Sequence, residues 1–319
     1  MEISIMLIGF LLAGYAVIAN DVIQTLGTFI LSNKNYHWSL LWGFASMILT
    51  LTLIYSWYFN GGDVSYHRLD KIPVPEKWHW SFLLAPLALL VLTRIGVPVS
   101  TTFIILSVFS AQQLIGKIVL KSVYGYAIAF VSAFILYVII SKKIESKTAV
   151  LQIQNGKGRH FWIIGQWVST AFLWSQWLIQ DFANIFVFLP RRLSIYELFL
   201  SLTFILVVMA FIFKQRGGKI QEVVSKKTNT QNIRSATLID LVYALLLFVY
   251  GNINSVPMST TWTFIGLLAG RELAISYLLN RSNIKGVTVM VRNDLFKVIT
   301  GLIVSILIVF LIRYFVSYN

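Results

Sequence analysis

The sequence predicts an all-α polytopic membrane protein with about ten transmembrane segments, arranged as two inverted five-segment repeats with broken helices and re-entrant hairpins. Of its 319 residues, 57% are hydrophobic and 12% are charged, and the mean hydropathy is +0.77. Such a chain cannot cover itself with a polar surface in water. Apolar runs long enough to cross the roughly 30 Å hydrocarbon core recur throughout, and because they do not alternate they favour helices over a barrel.

Two polar motifs occur twice in the same order, which predicts an internal duplication. The sequence GVPVSTT at residues 96–102 returns as SVPMSTT at residues 255–261, 159 residues later. The polar island ANDV around Asp21 has its counterpart in IQDF around Asp181, 160 residues later. Single Ser/Thr clusters are common in membrane helices. A Pro-x-Ser-Thr-Thr motif and an intramembrane carboxylate that both recur in register indicate two copies of one unit.

Segment 1, at about residues 3–31, would be roughly 43 Å long as a helix, which exceeds the thickness of the membrane core. We therefore expect it to tilt or break. Asn20, Asp21 and Gly27 mark the expected break, because polar side chains and glycine can satisfy freed backbone groups inside the membrane. The first residues lack a positive n-region, so no cleaved signal peptide is expected.

The remaining first-half segments are expected at about residues 40–59, 80–95, 96–116 and 122–140. Segments 3 and 4 are either two full spans or one re-entrant hairpin around the first Pro-x-Ser-Thr-Thr motif, and both options return the chain to the side it left. Residues 142–159, rich in Lys, Asn and Gly, are the expected cytoplasmic linker. Residues 1–141 and 160–319 are then the first and second inverted repeats.

The second half repeats this plan. Segments 6 and 7 are expected at about residues 161–189 and 195–213, segments 8 and 9 flank the second motif, and segment 10 ends near residue 316 after a charged loop at 280–297. Because each half has an odd number of segments, the second copy must be inverted relative to the first. This is the usual architecture of secondary transporters.

The distribution of positive charge predicts the orientation. With the N-terminus outside, the inside loops hold about twice as many Lys and Arg residues as the outside loops. We expect a protein integral to the plasma (inner) membrane of a bacterium, with both termini outside. The formal charge of +14 is then a topological signal, and no nucleic acid is expected as a partner. The chain has no cysteine, which excludes disulfides, thiolate metal sites and cysteine nucleophiles.

The two intramembrane carboxylates are the first candidates for function. An ionised carboxylate in hydrocarbon is costly unless it is paired, hydrated or bound to a cation. Each acid could merely bond a neighbouring helix or cap a half-helix. The pair, which an inverted repeat brings together, favours coordination of Na⁺ or transfer of H⁺. The candidate coupling-ion residues are Asn20, Asp21, Thr25, Gln180, Asp181 and Asn184.

The repeated hydroxyls are the second candidates. A proline followed by three hydroxyls at a helix start leaves free N–H groups that favour an anion, and two such half-helices would surround an oxyanion with donors. Taken singly, each cluster could instead be an interhelical packing motif.

Arg94 could neutralise the anion or extend to the interface. Arg271 and Glu272 are expected to form an internal ion pair. The candidate substrate residues are Ser100, Thr101, Thr102, Ser259, Thr260, Thr261 and Arg94.

These motifs resemble those of the inorganic phosphate transporter (PiT) family, which carries a Gly-Ala-Asn-Asp-Val-Ala-Asn-Ala signature in each inverted half and a later Pro-x-Ser-Thr-Thr-His element. ANDV at residues 19–22 is similar to the first signature, and QDFAN at 180–184 is similar to the second. Phe103 and Trp262 stand where the family has histidine, and Gln24 and Gln180 where it has asparagine. The resemblance covers both halves. It implies that the acid islands bind the coupling ion and that the Ser-Thr-Thr sets contact phosphate.

The sequence thus predicts a secondary active symporter for an inorganic oxyanion, most of all phosphate, coupled to Na⁺ or H⁺. Another oxyanion such as sulfate, or a non-transporting membrane binding or regulatory protein, are the alternatives. We do not expect an enzyme, because an intramembrane hydroxyl nucleophile would have no general base. No cofactor is expected, and no metal beyond Na⁺ at the coupling-ion residues. The expected partners are the oxyanion and the lipid bilayer, and we allow for a homodimer.

Overall fold

The computed structural model describes residues 2–97, 99–110, 112–144, 158–216, 221–225, 227, 230–253, 259–279 and 283–317. Within these residues the secondary structure is helical and contains no strand. The protein is an all-α polytopic membrane protein. Six helices in the described part are long and apolar enough to cross a membrane, namely Glu2–Ser32, Trp38–Phe59, Ile115–Lys143, Ile195–Lys214, Thr260–Leu279 and Ile284–Phe315.

The helices follow one another in two series. The first series is α1 (Glu2–Ser32), α2 (Trp38–Phe59), a 3₁₀ turn (Trp80–Leu83), α3 (Leu84–Arg94), a π-helical turn (Thr102–Leu106), α4 (Ser107–Phe109) and α5 (Gln112–Ile144). The second series is α6 (Arg159–Asp181), α7 (Ala183–Phe186), α8 (Ile195–Lys214), α9 (Gln221–Ser225), α10 (Ile233–Ile253), α11 (Thr260–Leu279) and α12 (Ile284–Ser317). Most of the expected linker lies outside the described residues, as do both prolines of the repeated motif.

The expected break in segment 1 is wrong. Helix α1 is continuous from Glu2 to Ser32 and passes through Asn20 and Asp21 without interruption. Two polar side chains of this region find partners on other elements, Asp21 with Thr101 and Thr28 with Asp240, so the helix backbone has no need to open for them. In the second half, by contrast, α6 ends at Asp181 and a new short helix starts at Ala183.

The first Pro-x-Ser-Thr-Thr motif forms the tip of a re-entrant hairpin. Helix α3 ends at Arg94, and Gly96 has φ +79°, a left-handed conformation that favours glycine. The returning residues 101–109 amount to roughly 14 Å of helix, about half of the hydrocarbon core. The hairpin is therefore the correct one of the two options, and the expected boundary near residues 117–121 is absent because α5 is continuous there.

The expected charged loop at residues 280–297 is mostly helical, since α12 begins at Ile284. Its acid, Asp294, pairs with Lys227, which lies between α9 and α10 and has a buried side chain. This ion pair compensates the charge on the helix and removes the reason to expect a loop. Arg271 and Glu272 on α11 form the expected internal pair, with 2.7 Å between nitrogen and oxygen.

Helices α5 and α11 pack backbone to backbone. A Cβ atom at Gly266 would lie 2.4 Å from the carbonyl oxygen of Tyr126, and one at Gly270 would lie 2.1 Å from that of Phe130. The two glycines are four residues apart and lie on one face of α11, the small-xxx-small spacing that lets membrane helices approach closely. This packing buries α11 and fixes the position of its first turn, which carries the second Ser-Thr-Thr set.

Candidate functional site

Four polar segments from both halves meet in the protein interior. They are the middle of α1, the tip at residues 99–102, the junction of α6 and α7, and the first turn of α11. We call their side chains the central site, and each is at most 2% exposed. The central site consists of Asn20, Asp21, Thr101, Thr102, Asp181, Asn184, Thr260 and Thr261.

The Asp21 carboxylate connects the first tip to α1 by hydrogen bonds. One of its oxygens accepts a hydrogen bond from the amide of Asn20 at 2.7 Å, and the other accepts from the hydroxyl of Thr101 at 2.8 Å. The Asn20 amide also donates to the Val99 carbonyl at 3.1 Å. The first acid island and the first hydroxyl tip, which the sequence assigned to separate roles, are thus in direct contact.

The Asp181 carboxylate joins both tips. It accepts from the hydroxyls of Thr102 at 2.9 Å and Thr260 at 2.5 Å, and from the amide of Asn184 at 3.0 Å. The same amide nitrogen lies 3.1 Å from the Thr101 hydroxyl. Thr101 and Asn184 therefore connect the two carboxyl groups into one hydrogen-bond network.

The two copies of Ser-Thr-Thr use their first two residues in the same way. Each serine oxygen accepts from the backbone N–H three residues later, Ser100 from Phe103 at 3.1 Å and Ser259 from Trp262 at 3.2 Å, as a helix N-cap does. Thr101 donates to Asp21, and its repeat counterpart Thr260 donates to Asp181. The duplication seen in the sequence is thus a repeated arrangement of hydrogen bonds.

The third residues of the two tips differ in their bonds. Thr102 donates to Asp181, whereas Thr261 donates to the Val99 carbonyl at 3.0 Å. Asn184 likewise donates to its neighbouring acid, while the buried amide nitrogen of Gln24, its counterpart in the first half, has no hydrogen-bond partner in the part of the chain that the structure describes. The longer side chain of glutamine does not reproduce the contact of asparagine.

Unpartnered oxygens border the carboxylates. Among the described residues, the buried amide oxygens of Asn20 and Asn184 and the buried hydroxyl of Thr25 have no hydrogen-bond partner. Oxygens of carboxylates and amides are the ligands that hard cations prefer. The donor set of the central site therefore fits a small cation such as Na⁺ next to Asp21 or Asp181.

Two predicted site residues lie elsewhere. The Gln180 amide donates to the Leu247 carbonyl at 2.7 Å, so its nitrogen faces α10. Arg94 is exposed at the end of α3 and lies 3.4 Å from the hydroxyl of Tyr15. The described hydrogen bonds of the central site include neither side chain.

A third buried carboxylate escaped the sequence prediction. Asp240 on α10 is 1% exposed and accepts hydrogen bonds from Thr28 on α1 and from Thr170 on α6, the latter at 2.5 Å. Its position in the first half is taken by Ser81, so a search for repeated motifs could not find it. The only signal was a single acid inside the apolar run of segment 8.

A buried arginine from a loop also escaped the prediction. Arg68 belongs to the α2–α3 loop (residues 60–79), is 8% exposed and donates to the Gly251 carbonyl at 3.3 Å. Burial lowers the pKa of its guanidinium, and the negative charge of Asp181 opposes that shift. A cation therefore lies within electrostatic range of the central site.

A cavity of about 700 Å³ lies at the other end of α1, on the predicted cytoplasmic face. Ser32 and Asn33 line it together with the cations Lys34, Arg159 and Lys227. Because α1 rises 1.5 Å per residue, this cavity is roughly 17 Å from Asp21 along the helix. It is a separate feature of the protein and not the central site.

The comparisons with known proteins agree with this architecture. No protein-family model matches the chain, and no curated protein matches it in sequence. A solved structure described as a sodium-dependent phosphate transporter has a similar fold, with a TM-score of 0.65 over 98% of this chain and 99% of that one. The two sequences are 16% identical. The expected similarity to a phosphate transporter is confirmed at the level of the fold, which extends over both halves of the chain.

Proposed function

We propose that this protein is a secondary active transporter of an inorganic oxyanion, with phosphate as its substrate and Na⁺ as its coupling ion. The observation that carries the proposal is the central site, where hydroxyls from both repeated tips meet carboxylates from both acid islands. The fold shared with a protein described as a sodium-dependent phosphate transporter supports it.

The chemistry of the hydroxyls suggests how the two substrates are coupled. A threonine hydroxyl has a single donor, so Thr101 can donate either to Asp21 or to an anion, but not to both. A cation on Asp21 or Asp181 would compensate the carboxylate and release this donor. The oxyanion would then receive hydrogen bonds that the carboxylates hold in the present arrangement, so each substrate favours binding of the other.

The unpartnered amide oxygens favour Na⁺ over H⁺. A proton needs one acceptor, whereas a hard metal ion is held by several oxygens at once. The amide oxygens of Asn20 and Asn184 supply such additional ligands beside the acids. Transport driven by H⁺ is the competing outcome in the experiment below.

Uptake of ³²P-phosphate by proteoliposomes tests this function. We expect uptake to depend on an inward Na⁺ gradient and to disappear when choline replaces Na⁺. Asp181→Asn protein, reconstituted to the same density, is the matched control and should lose uptake. Uptake driven by a pH gradient alone would assign H⁺, and sulfate outcompeting phosphate would change the substrate. Saturable phosphate binding without flux would instead indicate a binding protein and refute transport.

We further propose a plasma-membrane protein with both termini outside, with residues 1–141 and 160–319 as its inverted repeats and with a homodimer as its assembly. The charge distribution supports the orientation. Cross-linking of the protein in native membranes tests the dimer, which monomeric protein at all cross-linker concentrations would exclude.

A further inference from the structure

The α2–α3 loop holds Arg68 in a fixed position. The backbone N–H groups of Ser65 and His67 both donate to the Asp63 carboxylate at 2.7 Å, and the N–H of Arg68 donates to the Ser65 carbonyl at 3.1 Å. The loop is tied to the second half by a hydrogen bond from the Leu193 N–H to the Gly62 carbonyl at 2.9 Å. Arg68 is therefore presented by an ordered turn rather than by a free chain.

The Arg68 guanidinium lies next to the central site. A Cβ atom at Gly251 would be 3.3 Å from its Nη2 and 3.1 Å from the amide nitrogen of Gln180, the residue before Asp181. Glycine at position 251 leaves room for both side chains. The three hydrogen bonds that Asp181 accepts come from Thr102, Thr260 and Asn184, and among the described residues it forms no ion pair with Arg68.

The hydrogen-bonding capacity of Arg68 is largely unused. A guanidinium carries five N–H donors in a planar fork that matches an oxyanion, and it keeps its charge in proteins. In the described part of the chain its hydrogen bond is the one to the Gly251 carbonyl. An anion with two oxygens would match the remaining N–H donors of Arg68.

Further cations lie on the same side of the protein as Arg68. Lys121 on α5 lies within electrostatic range of both Arg68 and Lys71 of the loop. Three positive charges on the predicted outer face raise the local concentration of an anionic substrate and speed its association.

We propose that Arg68 is the oxyanion-binding cation of this protein, and that it receives phosphate from the predicted outer face beside Asp181. The assignment rests on the proposed function. It replaces Arg94, which is exposed and hydrogen bonds to Tyr15, as the positive charge for the substrate. The competing explanation is that Arg68 only compensates the charge of Asp181 and ties the loop to Gly251.

Equilibrium binding to purified protein separates these roles. With ³²P-phosphate at saturating Na⁺, Arg68→Gln should weaken phosphate binding about ten- to a hundredfold, since a charged hydrogen-bond donor is lost. Arg68→Lys should weaken it less, because it keeps the charge but not the fork. Arg192→Gln removes one charge from an exposed position on the same face and should change phosphate affinity by less than about twofold.

Binding of ²²Na⁺ without phosphate is the second measurement. Because Arg68 lies within electrostatic range of Asp181, Arg68→Gln should not weaken Na⁺ binding in either role. Weaker phosphate binding in this variant is then not a secondary effect of lost Na⁺, and it supports the proposal. Tighter Na⁺ binding together with unchanged phosphate affinity would show that Arg68 only compensates Asp181, and would overturn the proposal. If Arg68→Gln does not fold, Arg68→Lys decides by the same two affinities. Wild-type protein that binds no phosphate would refute the proposed function itself, whereas phosphate binding unaffected by Arg68 variants would refute only this assignment.

Discussion

At the scale of single residues, each threonine hydroxyl of the central site has one hydrogen to donate, for which a carboxylate and a bound oxyanion would compete. Thr101 and Thr260 occupy equivalent positions in the two copies and donate to equivalent carboxylates. The sequence located both threonines and both acids because they recur in register. It could not predict that the hydroxyls bond the acids directly, since the crossing of Thr102 to Asp181 depends on tertiary packing. It also missed Asp240, whose counterpart in the first half is Ser81, and Arg68, which belongs to a loop.

Removing either repeated hydroxyl should weaken binding of the anion. Thr101→Val and Thr260→Val are nearly isosteric changes with similar helix propensity. Each should reduce phosphate affinity about ten- to a hundredfold at saturating Na⁺, as expected for one hydrogen bond to a charged group. Thr203→Val, whose exposed hydroxyl donates only to the Phe199 carbonyl of its own helix, is the control. Unchanged affinity in both variants would make the tips packing motifs.

Removing the charge of Asp21 should instead weaken binding of the cation. Asp21→Asn replaces a carboxylate that accepts two hydrogen bonds by an amide, which binds Na⁺ less well. We expect the Na⁺ concentration for half-maximal phosphate uptake to rise or uptake to be lost. Normal Na⁺ dependence in this variant would exclude Asp21 from cation binding. Because linked ligands alter each other's apparent affinity, direct ²²Na⁺ binding at saturating phosphate completes the measurement.

At the scale of elements, helix bounds were predictable where apolar runs end in polar turns. The expected segments at residues 40–59 and 195–213 correspond to Trp38–Phe59 and Ile195–Lys214. Continuity was not predictable for α5, because Gly116, Lys117 and Lys121 resemble a loop in the sequence. Long cationic side chains can extend toward water while the helix backbone continues. The start of α12 was not predictable either, because an ion pair with another element compensates the charge on the helix.

The contact between α5 and α11 should tolerate no side chain at the glycine positions of α11. Gly270→Ala places a Cβ atom 2.1 Å from the Phe130 carbonyl oxygen unless the helices separate. We expect a lower melting temperature in detergent and a smaller folded fraction in size-exclusion chromatography. Gly43→Ala on α2 meets nothing within 4 Å and should be neutral or stabilising by about 0.5 to 1 kcal/mol. Equal melting temperatures for both variants would contradict the close packing.

The Asp240 cluster should stabilise the joint of α1, α6 and α10. Thr28→Val and Thr170→Val each remove one of the two hydroxyls that donate to this buried carboxylate. Each should lower the free energy of unfolding by about 1 to 3 kcal/mol. Thr288→Val, an exposed change at a hydroxyl that bonds its own helix, should have little effect. Thermal unfolding of all three variants in detergent is the measurement. Equal stability of the three variants would contradict a stabilising role for the Asp240 cluster.

At the scale of the whole molecule, composition alone determined the class of protein, and the repeats indicated a transporter-like fold. That fold is shared with a protein described as a sodium-dependent phosphate transporter at 16% identity. The symmetry is incomplete in the structure. One tip returns through the short stretch 101–109, while α11 at the other tip is a 20-residue helix. Repeated sequence motifs report local hydrogen bonding and not the length of the elements that follow.

The orientation of the molecule can be tested because the chain has no cysteine. A cysteine introduced at Asn319 should react with an impermeant maleimide added to intact cells, since the charge bias places both termini outside. A cysteine at Ser225, an exposed position at the end of α9, should react only after the cells are opened. The reverse pattern of labelling would refute the orientation.

The continuity of α1 has a mechanical consequence. Asp21, Thr28 and Ser32 lie on one uninterrupted helix, at the central site, at the Asp240 cluster and at the cavity of the opposite face. A broken helix would let these three places move independently. A rigid rod cannot do so, and any sliding of Asp21 along the helix axis displaces Thr28, roughly 10 Å away, and Ser32 by the same distance. A displacement of α1 at Asp21 would therefore reach Ser32 at the cavity directly, through the helix itself.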